Sequence, residues 1–284
     1  MKYIDLHVHS NASDGTDTPA ELVKKAVSID LSVFALTDHD TVAGIREAMD
    51  AAKVYKKQGK MIHVIPGIEL SVAYKGTDIH ILGLCIDYRN EAFCNALNKV
   101  KEERDRRNEK MAENLAKAGI DISIDKLREE DKDAVLTRAH FAKYLVKTGI
   151  VETNQEAFSK FLSSDGPYYV PREYLSPKKG MDLIKMAGGV PVLAHPLLYK
   201  LSDARLDELI KDLKEDGLVG IETFYSMNTG FDEAYVKKLA TKYDLLMTGG
   251  SDYHGTVKPL IKLGVGKGNL KIPYSLLEKL ENYQ

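Results

Sequence analysis

Ile4-Asp5-Leu6-His7-Val8-His9-Ser10 belongs to a strand-like run, from 2 to 8, that ends on two imidazoles. Strand side chains alternate, so His7 and His9 are expected on one face. An HxH alone is a weak signal, because a strand-end histidine can equally bond a loop amide. Outward from it, short β-type runs alternate with amphipathic stretches. A helix is expected near 19–30, a strand at 33–37, a helix near 41–58 and a strand at 62–72. This is the βαβ rhythm of a parallel sheet or barrel. After a hairpin partner at 78–87 the rhythm breaks into a charged helix at 90–118, ended by Gly119, with further helices at 138–148 and 154–161. Gly166-Pro167 and Pro171 mark the return. Alternation resumes with helices at 176–187, 204–216 and 231–243 and strands at 190–194, 218–224 and 245–248. The expected organisation is a barrel built from 1–88 and 171–284, interrupted by a mainly helical insertion at 89–170.

With 284 residues, 44% of them apolar, the chain can bury a sizeable core. Cys85 and Cys94 support neither a disulfide framework nor a zinc ribbon. No apolar run approaches the roughly 20 residues that span a bilayer, and the first residues lack a basic segment leading into a long apolar one. A reducing, cytoplasmic setting without a membrane partner is expected. A formal charge of −2 provides no basic footprint for long duplex nucleic acid. A small phosphorylated ligand or a short single strand fits better.

Strand end after strand end repeats the opening pattern. Thr37-Asp38-His39-Asp40, Gly67-Ile68-Glu69-Leu70, His80, Ala194-His195-Pro196 and Gly250-Ser251-Asp252-Tyr253-His254 follow in order. Five of the eight histidines, His7, His9, His39, His195 and His254, fall where strands hand over to loops, the rim on which β/α barrels assemble their sites. Imidazole and carboxylate are the donor set of Zn, Mn and Fe. Clustered Asp14, Glu69 and Asp252 would repel one another in a buried cleft unless cations neutralised them.

Together with Asp14, these motifs resemble the polymerase-and-histidinol-phosphatase (PHP) family from end to end of the chain. The resemblance implies an α/β fold, a distorted TIM-like (β/α)7 barrel with a trinuclear site at the strand C-termini. It places His7, His9, Glu69 and Asp252 on one ion, Glu69, His80 and His195 on a second, and Asp14, His39 and His254 on a third. Two or three divalent ions are implied, Mn, Fe or Zn ahead of Mg. Within the family, 104–108, Thr137-Arg138-Ala139-His140 and Gly166-Pro167-Tyr168-Tyr169-Val170 are similar to the branch of nucleoside 3′,5′-bisphosphate phosphatases and 5′-to-3′ oligonucleotide exonucleases, whose insertion covers the site.

The resulting expectation is hydrolysis of a nucleotide phosphomonoester, and of short 5′-phosphorylated oligonucleotides, by a metal-activated hydroxide attacking phosphorus in line. A histidinol-phosphatase-like enzyme and a non-catalytic, metal-dependent nucleotide-binding module are the alternatives. For substrate contacts, Arg138 and His140 at a helix start form a candidate phosphate clamp. Arg104 and Arg107 share a helix face that also reads as solvated and salt-bridged. Ser71, two beyond Glu69, could aim a hydroxyl into the site. Tyr168, Tyr169, Tyr225 and Tyr253 could stack a base, and His63 reads as an ordinary histidine.

Overall fold

The computed structural model describes residues 3–129, 132, 134–163, 166–171 and 175–283. Seven strands run β1 (Ile4–Val8), β2 (Val33–Leu36), β3 (His63–Tyr74), β4 (Thr77–Leu84), β5 (Val190–Leu193), β6 (Gly220–Tyr225) and β7 (Leu246–Gly250). They form one sheet in sequence order. Neighbours are parallel except β4, which pairs antiparallel with both β3 and β5. That exception follows from the link before it: Lys75 and Gly76, both with positive φ, make the two-residue turn that returns a strand alongside its predecessor. The sheet nearly closes, with the His9 amide donating to the Tyr253 carbonyl at 3.0 Å and the Asp252 amide to the His7 carbonyl at 2.8 Å.

Helices α1 (Pro19–Ser28), α2 (Ile45–Lys57), α7 (Pro177–Met186), α8 (Asp203–Glu215) and α9 (Gly230–Lys242) link the barrel strands. Their starts are written locally. Thr18 with Pro19 and Glu21 forms a capping box, as does Thr229 with Asp232, and Ser176 caps Pro177 onward. Between β4 and β5 come α3 (Glu91–Lys117), α4 (Ile124–Arg128), α5 (Arg138–Lys147) and α6 (Asn154–Ala157), the last passing into a π-helical turn at Phe158–Leu162. A last helix, α10 (Ser275–Glu281), follows β7; neither it nor α4 was expected from the sequence. No helix among the described residues is long and apolar enough to cross a membrane.

Burial separates three apolar clusters. Ile4, Leu6, Val33, Ala35, Ile65, Leu82, Leu84, Val190 and Val192 pack with Leu276, Leu277 and Leu280 of α10, filling the barrel interior and one end. Val8, Phe34, Leu36, Ile68, Leu70 and Ile221 meet the apolar faces of the surrounding helices. Met111, Leu115, Leu127, Phe141, Leu145 and Leu162 form a core of their own among the helices between β4 and β5. The first turns of α3 belong elsewhere, for Phe93, Leu97 and Val100 pack into the outer barrel layer.

Simple alternation fails at one place that matters. Leu6 and Val8 are two apart, yet Leu6 lies in the interior cluster and Val8 in the outer one. The ladder between β1 and β2 shifts register between Asp5 and Val8. A bulge re-aims the side chains that follow it. His7 and His9 thereby turn to the same side as Ile4 and Leu6, at the rim, rather than to the side of Asp5.

Candidate metal centre

All nine residues of the expected ligand set meet at the C-terminal rim. Glu69 stands at the centre. Its Oε2 lies 3.3 Å from His7 Nε2, 3.1 Å from His9 Nε2 and 3.2 Å from His39 Nδ1. Its Oε1 lies 2.9 Å from both His80 Nδ1 and His195 Nε2. Asp252 Oδ1 is 3.7 Å and 3.5 Å from the Nε2 atoms of His7 and His9. Asp14 is 3.2 Å from His254 Nε2 and 3.7 Å from His39 Nε2. Tetrahedral donors on arms of about 2.0–2.1 Å sit about 3.3–3.4 Å from one another, so these separations suit donors converging on cations. His39 faces two groups at once, Nδ1 toward Glu69 and Nε2 toward Asp14. Compact donor sets also join His9 to Asp14, His39 and His254, and His39 to Glu69 and His80.

The donors fit divalent ions chemically as well as spatially. Among the described residues, the buried Nδ1 atoms of His9 and His39 have no well-directed hydrogen bond, although His39 Nδ1 faces Glu69, an arrangement that costs free energy unless something else engages them. Burial would raise the carboxyls of Asp14, Glu69 and Asp252, but the surrounding imidazoles, and Lys258 beside Asp252, outweigh it and hold all three well below the usual range. Burial, reinforced by His254, lowers His9 to about 4, and burial lowers His39 too. Ionised carboxylates and neutral imidazoles are the states a cation requires. His7 is the exception: burial works to lower it, yet Glu222, Glu69 and Asp252 drive it well above the ordinary histidine value. A cation among those carboxylates would take the place of that proton.

Buried carboxylates hold the frame. Asp5 accepts from the Ser251 amide at 2.7 Å, Ser251 Oγ at 2.5 Å and the Gly264 amide at 2.8 Å. Asp38 accepts from the Ser10 amide, Ser10 Oγ and Ser13 Oγ at 2.6–2.8 Å. Tyr225 and Lys258 both donate to Asp252 Oδ2, at 2.8 and 2.6 Å. His195 and Asp252 adopt positive φ, at 28° and 55°, a conformation that non-glycine residues keep only where surroundings enforce it. At Gly250 a Cβ would come within 2.2 Å of His7 Cβ.

A cavity of about 370 Å³ opens above the cluster, with Asp14, His39, His80 and His254 on its floor. Thr137, Arg138, Asn154 and Phe158, from the helices between β4 and β5, form the opposite wall, with Ser71, Arg104 and Lys258 along the sides. Thr137 Oγ1 donates to Asp14 Oδ2 at 2.8 Å, joining that wall to the floor.

The expected substrate contacts are placed unequally. Arg138 and His140 do not converge, because residues two apart on a helix point to different sides. Arg138 lines the cavity, 3.4 Å from Asp78 and over the Tyr169 ring. His140 Nδ1 instead accepts from the Thr137 amide at 3.0 Å and lines a smaller adjoining pocket with Asn11 and Lys143. The acids at 129–133, which the sequence also offers Arg138 as ion-pair partners, fall partly outside the described residues. Nor are Arg104 and Arg107 on a solvated face. Both are buried: Arg104 pairs with Asp40 and donates to Ser71 Oγ at 3.0 Å, and Arg107 donates to the Val170 carbonyl at 2.9 Å. Of the basic residues there, Arg104 and Arg107 turn inward while Arg106 stays exposed. Tyr225 is buried against Asp252, and the Tyr253 hydroxyl donates to Asp17 at 2.7 Å. His63 is exposed.

Glu222, Asp5, Asp38, Asp40 and Lys258 went unassigned in the sequence. For Glu222 a signal existed: a carboxylate in the middle of the strand Gly220-Ile221-Glu222-Thr223-Phe224, a segment buried on both sides.

A model of the PHP domain matches residues 5–223. The chain is 36% identical over 253 residues to a 5′-3′ exoribonuclease of Haemophilus influenzae, covering 89% of this chain and 90% of that protein. It is 34% identical over 255 residues to a 3′,5′-nucleoside bisphosphate phosphatase of Chromobacterium violaceum, covering 89% and 88%. A crystal structure from Bifidobacterium adolescentis, of a protein assigned as a metal-dependent phosphoesterase, superposes with a TM-score of 0.83 at 31% identity, covering 98% and 95%.

Proposed function

The chain belongs to the PHP domain family, and from that premise we propose that it is a metal-dependent phosphoesterase acting on the phosphomonoester of a nucleoside 3′,5′-bisphosphate and on short 5′-phosphorylated oligonucleotides. One observation carries the reading: nine imidazole and carboxylate donors, eight of them buried and His80 half-buried, converge beneath a cavity of about 370 Å³ that has Arg138, Arg104 and Lys258 in its walls. Donors below and cations around suit a phosphate pressed onto metal ions.

In this reading His7, His9, Glu69 and Asp252 hold one divalent ion, Glu69, His80 and His195 a second, and Asp14, His39 and His254 a third. Mn, Fe and Zn match these donors better than Mg. Bound there, such ions supply Lewis acidity toward phosphoryl oxygens and lower the pKa of a water. The protein's own part is to place charge and exclude solvent. Glu69 spans two groups of donors with its two oxygens. Arg138 is the guanidinium best placed to take a phosphate, and its stacking on Tyr169 sets its direction. Arg104 fixes Ser71 and Asp40 at the cavity side. The helical segment at 89–170 acts as the inserted cover over the barrel of 1–88 and 171–284, and thereby raises the strength of every charge interaction beneath it.

The two relatives favour nucleotides over histidinol phosphate, and a hydrolase over a binding-only module. Phosphate release from a nucleoside 3′,5′-bisphosphate, mononucleotide release from a 5′-phosphorylated dinucleotide and phosphate release from histidinol phosphate, each measured with Mn, test this. Release from the first two is expected; release from histidinol phosphate alone refutes the nucleotide assignment.

A further inference from the structure

Glu222 is fully buried on β6, and its two oxygens serve two different histidines of the centre. Oε1 lies 3.0 Å from His7 Nδ1, and Oε2 accepts the backbone amide of His195 at 2.7 Å. Beyond Glu222, His7 turns Nε2 toward Glu69 and Asp252, while His195 turns Nε2 toward the other oxygen of Glu69. The ladder between β6 and β7 shifts register between Glu222 and Phe224.

We infer, resting on the metal-dependent reading above, that Glu222 is a positioning residue that prepares two of the metal positions together. A neutral imidazole has one N–H and one lone pair, so the group behind it decides which nitrogen can bind a cation. A carboxylate at Nδ1 keeps the proton there and leaves the Nε2 lone pair facing Glu69 and Asp252. The same carboxylate grips His195 through its amide, which holds that residue in its positive-φ conformation with Nε2 2.9 Å from Glu69. Asp14 and His254 have separate supports: Thr137 donates to Asp14, and His254 Nδ1 meets the Asp252 carbonyl at 2.9 Å.

Glu222→Gln tests this with almost no change of shape. If the amide oxygen takes the His195 N–H, the amide NH2 faces His7 Nδ1 and forces the proton to Nε2, the wrong tautomer for a ligand. Mn binding followed by competition titration is expected to weaken about 10–100-fold, with unchanged far-UV circular dichroism. The 15N spectrum of the Zn-loaded wild type is expected to show His7 protonated at Nδ1, and that signature to be lost in E222Q. Glu222→Asp keeps the charge but is one methylene too short to reach both partners, so it is expected to weaken Mn as well. Wild-type Mn affinity in E222Q and E222D overturns the inference, as does a fall in Tm with no change in the Mn affinity of the folded protein. A wild-type chain that takes up no Mn overturns the metal-dependent reading itself, and this inference with it.

Discussion

Arg104→Met is expected to cost the protein a large fraction of its stability, although the residue lines the substrate cavity. Arg104 is 1% exposed. Its Nε donates to Asp40 Oδ2 at 2.8 Å, Nη2 reaches the same oxygen and Ser71 Oγ, and Nη1 approaches the Leu136 carbonyl at 3.4 Å. Methionine fills most of the space but leaves the buried Asp40 carboxylate without its cation, retaining the Ser71 amide at 2.9 Å. Removing one partner of a buried ion pair costs about 3–5 kcal/mol. At about 2–4 °C per kcal/mol for a chain of this size, Tm should fall by roughly 6–20 °C. Thermal unfolding followed by circular dichroism measures it, alongside KM and kcat. The double variant R104M/D40N should recover part of the loss, because no unpaired charge then remains. If Arg104 served only as a solvent-facing substrate contact, R104M would raise KM and leave Tm within about 2 °C of wild type, and the reasoning would be refuted.

Three other outcomes are expected. Glu69→Ala removes the carboxylate facing His7, His9, His39, His80 and His195, so both metal content by elemental analysis and phosphate release should be lost; release by the metal-stripped variant would sink the scheme. Gly250→Ala forces a Cβ into the His7 backbone and should lower Tm and Mn affinity together, whereas wild-type values for both would show that β1 and β7 can separate freely there. Burial, with a smaller contribution from Glu281, pushes the Cys85 thiol up to about 11. The thiolate is the reactive form, so alkylation of the native protein should be slow at pH 7.5 and quicken about tenfold per pH unit toward 11; peptide mapping that finds Cys85 labelled at pH 7.5 as fast as in the denatured chain would refute it.

The metal centre was legible in part because His7, His9, His39, His195, Asp252 and His254 stand at or just beyond strand ends, which are written in local hydrophobic patterning, whereas Glu69 and His80 lie within β3 and β4 and Asp14 in the loop after β1. The assignment of all nine as ligands came from the resemblance of the ordered motifs to the PHP family. What holds those donors was not legible in the same way. His7 and His9 face inward only through the register shift in β1, and that shift depends on pairing with β2 rather than on the residues themselves. Glu222 and Asp5 act across strands, on groups far away in the sequence, and a single buried carboxylate does not announce its partner. Arg104 misled for a related reason: in Lys101-Glu102-Glu103-Arg104-Asp105-Arg106-Arg107 the charges look alike, and burial against Asp40 picks out one. The proposed pairing of Arg138 with His140 failed on helix geometry, which the sequence did contain. α10 escaped notice because only seven residues are helical and their apolar face is used to plug the barrel.

The narrow closure between β1 and β7 has a consequence for biogenesis. Asp5 and Ser251, 246 positions apart, are joined there by hydrogen bonds, and His7 and Asp252 meet at the same place. Contacts so distant in sequence are slow to form and must await the last strand. A nascent chain leaving the ribosome therefore holds His7, His9 and Glu69 long before Asp252 and His254 exist. The centre is thus assembled only once β7 and the residues that follow it have been made and paired with β1.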